Sequence, residues 1–250
     1  MASKAISQSL QMVDPQIGGE LNRELTFSHP SHLRMLGVAL AAAVLAGAPA
    51  QAAIATADHG NIVVNGKAIT HSGNDSDPLL TPDGKRVVFQ RDSGNTTADW
   101  DCSGSGIGAD RKVVSLWVAN VDGSGAHKLL DVKPDMDMKK TICAFRNAQF
   151  SSDGRLLYFE TPAWATSGAL HVYDFRTGRE HFVIDSNGTQ VLAKCAEPDY
   201  RDKLIVTQHK YFVFGGSYDW PWLISPDGKN LGLIGGDNAD LNAIVKGACS

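Results

Sequence analysis

The 250-residue sequence predicts an all-β protein built from four-stranded antiparallel sheets, the blade unit of a β-propeller. Three observations carry that prediction. A phrase of turn followed by apolar strand recurs along the chain, a pair of alternating runs around an Asp-Gly or Thr-Gly turn recurs after it, and apolar spacing at the helical period is nearly absent. The composition, 43% hydrophobic and 20% charged with a net charge of -4, is that of an ordinary globular protein. It leaves no basic footprint for a polyanion, so nucleic acid is not an expected partner.

Residues 36–47, LGVALAAAVLAG, form an uncharged apolar run behind His32 and Arg34 and ahead of APAQAA. A basic flank, a short apolar core and small residues spaced A-x-A are what a secretory signal peptide needs. The run is shorter than the ~20 apolar residues of a spanning helix. We place cleavage after Ala52, with Ala50 as the alternative, so that 1–52 is leader and signal peptide and 53–250 is the folded domain, without a membrane span in the mature form. Cys102, Cys143, Cys195 and Cys249 all fall in the exported part. An even number of cysteines in an oxidising compartment predicts two disulfides, with every pairing still open.

The elements follow in order. NIVVNGKAIT (61–70) reads as two short strands. LLTPDGKRVVFQRD (79–92), AQFSSDGRLLYFETP (148–162) and EPDYRDKLIVTQHKY (197–211) each place a polar turn before a β-branched or aromatic run, which is a tight turn entering a buried strand. SLWVANVDGSGAHKLL (115–130), ALHVYDFRTGREHFVI (169–184) and WPWLISPDGKNLGLIG (220–235) each place two alternating runs about Asp122-Gly123, Thr177-Gly178 or Asp227-Gly228, which is a β-hairpin. LNAIVKGAC (241–249) reads as one more strand. The count is about three to four blades, the two leading strands and the tail joining the ends of the chain into a fourth.

The T-P-D-G-K-R-V phrase at Thr81 to Val87, its echo at Ser151 to Leu156, and L-W-V-A-N-V-D-G-S-G at Leu116 to Gly125 resemble the repeats of the TolB-type β-propeller family, within the wider WD-repeat-like group. The resemblance spans roughly residues 61–236. It implies a non-enzymatic bacterial protein of the periplasm, or a secreted one, that acts as an interaction module for an envelope protein or peptide. The sequence departs from that family in lacking a separate N-terminal α/β domain and in having fewer blades than a full ring. Because one blade serves many functions, two alternatives stand beside this reading. One is a carbohydrate-active enzyme resembling the propeller oligosaccharide lyases, in which Gln208 and His209 are the best local pair for a channel site. The other is a structural half-propeller that pairs with a second copy.

In such a propeller the loops between second and third strands share a face with the connections between blades. Here those loops are 92–112, 161–168 and 210–220, and they carry Trp100, Trp164 and Trp220 beside Tyr218 and Trp222. Rings gathered on one loop face suit capture of a protein segment or a sugar, since they offer contact area at low entropic cost; the same rings also suit plugging the ends of the core. Cys102 lies in the first of these loops and Cys143 in the connection to the next blade, which predicts a Cys102–Cys143 bridge and leaves Cys195–Cys249 to tie the tail to the third repeat. No catalytic residue, metal ligand or cofactor is expected. The G-x-S-x-G elbow is absent, the histidines lack H-x-x-x-H spacing, and Asn74, Asp75, Asp77, Asp99, Asp101, Asp135 and Asp137 do not follow a calcium-loop pattern.

Overall fold

The computed structural model describes residues 53–96, 102, 112–236 and 240–249, all within the compact unit Pro49–Ser250. The apolar run 36–47, its cleavage site and Trp100 lie outside the described residues. A leading three-stranded antiparallel sheet holds β1 (Ala55–Asp58), β2 (Asn61–Val64) and β3 (Lys67–Ala68). Three four-stranded sheets follow, each hydrogen-bonded in chain order. Blade 1 is β4 (Asp75–Leu80), β5 (Arg86–Thr96), β6 (Lys112–Asn120) and β7 (His127–Leu130); blade 2 is β8 (Arg146–Phe150), β9 (Leu156–Pro162), β10 (Gly168–Asp174) and β11 (Arg179–Ser186). Blade 3 is β12 (Thr189–Val191), β13 (Leu204–Tyr211), β14 (Ser217–Ile224) and β15 (Asn230–Leu233), and the chain continues to a helix, α1 (Leu241–Ala248). The result is a partial propeller.

The repeated turn phrase has one chemistry. Thr81 Oγ1 donates to Asp83 Oδ1 (2.5 Å), the same carboxylate accepts the Lys85 amide (3.1 Å), and the Gly84 amide closes on the Thr81 carbonyl (2.8 Å). Ser151, Asp153, Gly154 and Arg155 repeat the arrangement between β8 and β9, with the hydroxyl 2.6 Å from Asp153. Ser225 and Asp227 build it a third time, but between β14 and β15. In blade 3 the first and second strands are instead joined through residues 192–203, where Asp202 accepts from both the amide and the hydroxyl of Ser152 in blade 2 (2.6 and 2.5 Å).

Packing is face to face. Phe89 and Val87 meet Ile62 and Val64 of the leading sheet; Val88 and Leu116 meet Leu157 and Phe159 of blade 2; Tyr158, Leu170 and Val172 meet Leu204, Val206 and Ile224 of blade 3. The inner edge of β12 is also covered. The Gln149 side-chain amide donates to the Thr189 carbonyl (2.8 Å) and accepts from the Val191 amide (2.9 Å), as a neighbouring strand would.

Two expectations are corrected. Residues 241–249 are not a strand, because Leu241, Ile244, Val245 and Ala248 recur at helical spacing, and the Ala243 amide donates to Asp240 Oδ1 (3.3 Å) at the helix start. The tail therefore adds no strand to β1–β3, and the ends do not complete a four-stranded fourth blade. The 210–220 segment is also not all loop. Tyr218, Trp220 and Trp222 lie on β14 at alternate positions, where the strand period puts them on one face.

The turn at Gly228 brings blade 3 against blade 2. Its φ is +86°, and a Cβ there would lie 2.5 Å from the Val183 carbonyl oxygen of β11. At Gly66 φ is +80° and the space beside it is open. Gly66→Ala should therefore cost only the left-handed backbone penalty, about 1–2 kcal/mol. Gly228→Ala should cost at least about 1 kcal/mol more, because a strand must move as well; urea midpoints measure the difference, and equal losses would refute the tight blade contact.

The capping carboxylates also set an acid limit. Hydroxyl hydrogen bonds first, and then backbone amides, hold Asp83 and Asp153 below their ordinary value of 3.8. A folded value below the unfolded one stabilises the fold above the unfolded pKa, and that contribution is lost as pH falls through the lowered folded value. The urea midpoint should fall between about pH 5 and pH 3, with a shallower fall in Ser151→Ala, which removes the main donor to Asp153. An unchanged slope in that variant would show that these caps do not govern the acid limit.

Candidate functional site

The faces of the blades are sealed against one another, so the openings lie at strand ends. On the loop face, Cys102 beyond β5 is bonded to Cys143 before β8, with Cα atoms 5.9 Å apart. At the other end of the arc, Cys195 and Cys249 are bonded with Cα atoms 4.4 Å apart, tying the end of α1 to the connection between β12 and β13.

The turn between β9 and β10 is closed by the Trp164 amide donating to the Ser167 carbonyl (2.8 Å). It overhangs a cavity of about 400 Å³ lined by Arg146, Glu160, Thr161, Trp164, Ser186 and Asn187 among others. Register explains why these residues meet. Arg146 pairs with Glu160 across β8 and β9, and the β8–β9 register shifts immediately after it, at Asn147, which has φ of +48°. The cavity groups are largely engaged with each other. Glu160 accepts from Ser186 Oγ (3.1 Å) and Asn147 Nδ2 (3.4 Å), while the Thr161 hydroxyl accepts the amides of Cys143 (2.8 Å) and Ala144 (3.2 Å). Asn187 Nδ2 donates to the Thr166 carbonyl (2.9 Å) and to Asp219 Oδ1 (3.0 Å), clamping the blade 2 turn to blade 3. Trp164 itself is half-buried, edge-on to Phe182 of β11 with ring centroids 6.2 Å apart.

The Tyr218 and Trp220 rings meet at a tilt with centroids 4.3 Å apart, and Phe212 adds a third ring at 4.7 Å from Tyr218 and 6.1 Å from Trp220. Trp222 packs on the core between blades 2 and 3, with Lys210 Nζ 4.4 Å from its ring centroid.

Gln208 and His209, the pair expected in a channel site, do not converge. They are adjacent on β13 and so face opposite sides. Gln208 is buried and donates to Asp185 Oδ1 (3.0 Å), whereas His209 Nδ1 lies 3.2 Å from Asp219. Among the described residues no group of three or more His, Cys, Asp or Glu is placed to hold a metal ion, and no helix is long and apolar enough to cross a membrane.

Sequence reasoning missed one buried polar pair. His171 Nδ1 bonds Glu180 across the β10–β11 hairpin, the imidazole stacks on Phe159 (5.6 Å) and meets Phe182 edge-on (5.9 Å), and its Nε2 has no hydrogen-bond partner. A histidine within the apolar strand GALHVYD was the available signal. A second, mostly apolar cleft of about 650 Å³ runs between the first strands of the three blades and α1, lined by Leu79, Phe150, Val191 and Val245 among others.

No protein-family model matches the chain, and no curated protein sequence matches it. Among solved structures it is similar to the β-propeller domain of the trilobed protease from Pyrococcus furiosus, with 15% identity over 74% of this chain and 53% of that one and a TM-score of 0.45. It is similar to TolB from Acinetobacter baumannii, with 13% identity over 75% of this chain and 41% of that one and a TM-score of 0.44. It is also similar to an oligogalacturonate lyase solved with manganese, with 11% identity over 69% and 39% and a TM-score of 0.41. The chain thus spans about half, or less, of the length of these structures, and the likeness is one of fold alone.

Removing the Cys102–Cys143 bridge should cost about 2–4 kcal/mol in the chain-entropy account. The Cys102→Ala, Cys143→Ala double variant should show this as a lower urea midpoint. Recovery of Cys102 joined to Cys195 or Cys249 in non-reducing peptide maps of the wild type would overturn the pairing.

Proposed function

We propose that this chain is an exported, non-enzymatic interaction module that holds an extended segment of a partner protein in the Trp164 cavity. The observation that carries the reading is the composition of that cavity: one indole beside a guanidinium, a carboxylate, an amide and hydroxyls. An aromatic wall gives contact area, and fixed polar groups match the alternating donors and acceptors of a peptide backbone. Because Glu160, Ser186 and Asn187 are held by hydrogen bonds to protein groups, the site is suited to recognition rather than to proton transfer. Export is supported by the two disulfides, which persist in oxidising compartments. The TolB-like phrases at Thr81–Val87 and Leu116–Gly125 support the choice of a bacterial envelope partner.

Peptides selected from a random displayed library on the full chain provide the test. Trp164→Ala should weaken the selected peptides at least tenfold, roughly 1.4 kcal/mol, at an unchanged urea midpoint. Unfolding of the variant would make the indole a plug of the core. Undiminished peptide binding, or displacement of the peptides by oligosaccharides, would overturn the reading.

A further inference from the structure

We propose that the tip of the β13–β14 hairpin is an anchor for a lipid surface. From Tyr211 to Tyr218 the sequence YFVFGGSY carries no charge. Phe214 is fully exposed, Val213 is 92% exposed, and Tyr211 and Phe212 beside them are exposed at 67% and 46%. Four consecutive large apolar side chains facing water at the apex of a hairpin are not the scattered exposure of an ordinary surface.

Their order selects the partner. Val213 and Phe214 form the apex, Tyr211 and Phe212 come next, and the amphipathic rings of Tyr218 and Trp220 form a collar against Phe212. The first charges stand at the collar itself, Lys210 opposite Tyr218 and Asp219 between Tyr218 and Trp220, and Asp219 is already met by His209 and Asn187. Aliphatic and phenyl groups outermost, with tyrosine, tryptophan and the first charges together behind them, follow the polarity order of a bilayer interface. A protein socket would require only the apolar apex. Two backbone hydrogen bonds close the turn. The Phe212 amide donates to the Gly216 carbonyl (3.0 Å) and the Gly215 amide to the Phe212 carbonyl (3.2 Å). With one cation and no basic cluster at the collar, insertion draws on apolar burial more than on lipid charge.

Co-sedimentation of the full-length chain with phosphatidylcholine vesicles, alone and with anionic lipid, tests the anchor. The Val213→Ser, Phe214→Ser double variant should bind at least tenfold less at the same lipid concentration, and the two vesicle types should differ by no more than roughly twofold for wild type. Both side chains are solvent-facing, so the urea midpoint should not change, and the apolar run 36–47 is common to both proteins and cancels in the comparison. In Phe214→Trp, added vesicles should shift the new indole's emission to the blue. Equal binding by wild type and double variant, no binding by wild type, or a tip-dependent dimer in lipid-free buffer would each overturn the anchor, the last by making the tip an interface between copies. Trp164→Ala should bind vesicles normally, so failure here leaves the peptide cavity untouched.

Discussion

A four-stranded sheet with two apolar faces cannot bury either of them by itself, and this constraint organises the whole described unit. It is most visible at β9, where Leu157 and Phe159 enter the cluster with blade 1 while Tyr158, between them, enters the cluster with blade 3. Every apolar strand face requires a neighbour, so the sheets stack in sequence. Two of the blade faces are covered by something other than a four-stranded sheet. The leading sheet covers blade 1 with Ile62 and Val64, and the outer face of blade 3 places Ile205 and Leu223 beneath Val245 of α1. That explains why the tail is a helix. A further strand would have extended an edge, whereas a face needed cover, and Cys195–Cys249 holds the cover in place.

Apolar clusters fix which faces meet but not how far one blade slides along the next. Side-chain amides and carboxylates supply that register at the blade margins. Gln90 donates to the Phe145 carbonyl (2.9 Å), Asn147 to the Thr189 carbonyl (2.7 Å), and Asp202 receives both donors of Ser152. Each of these bonds joins one blade to the next. The Trp164 cavity lies where two such links, through Asn147 and Asn187, converge on β8 and on the blade 2 turn. Its geometry therefore depends on blade register.

What was legible in the sequence follows from the same distinction. The T-P-D-G-K turns and the Asp-Gly hairpins are local chemistry, so their strands could be placed from residues alone. The helical spacing of Leu241, Ile244, Val245 and Ala248 is also present, but it spans only two turns and follows an all-β pattern that favours a strand there. Tyr218, Trp220 and Trp222 recur at intervals of two, the strand period, within a stretch that glycines made look like a loop. The cavity itself was beyond reach. It gathers Arg146, Glu160, Trp164 and Asn187 through strand pairing and a register shift after Arg146, neither of which leaves a mark in any one stretch of sequence. His171 and Glu180 are similar, since only the hairpin register, which pairs His171 with Phe182 and Tyr173 with Glu180, makes them diagonal neighbours.

Blade 3 is where the chain departs furthest from its own repeat. Its turn phrase has moved to the β14–β15 position, its first two strands are joined through a disulfide-tied connection, and its central hairpin ends in four exposed apolar residues. These departures share a cause. Blades 1 and 2 are packed on both faces by other sheets, so an altered turn against either neighbour would disturb two clusters. Blade 3 has a sheet on one side and only a short helix on the other, so a change on its outer side disturbs a single small cluster. The packing rule that builds the repeat also says where it can be broken, and the hairpin apex from Tyr211 to Phe214 stands at that place.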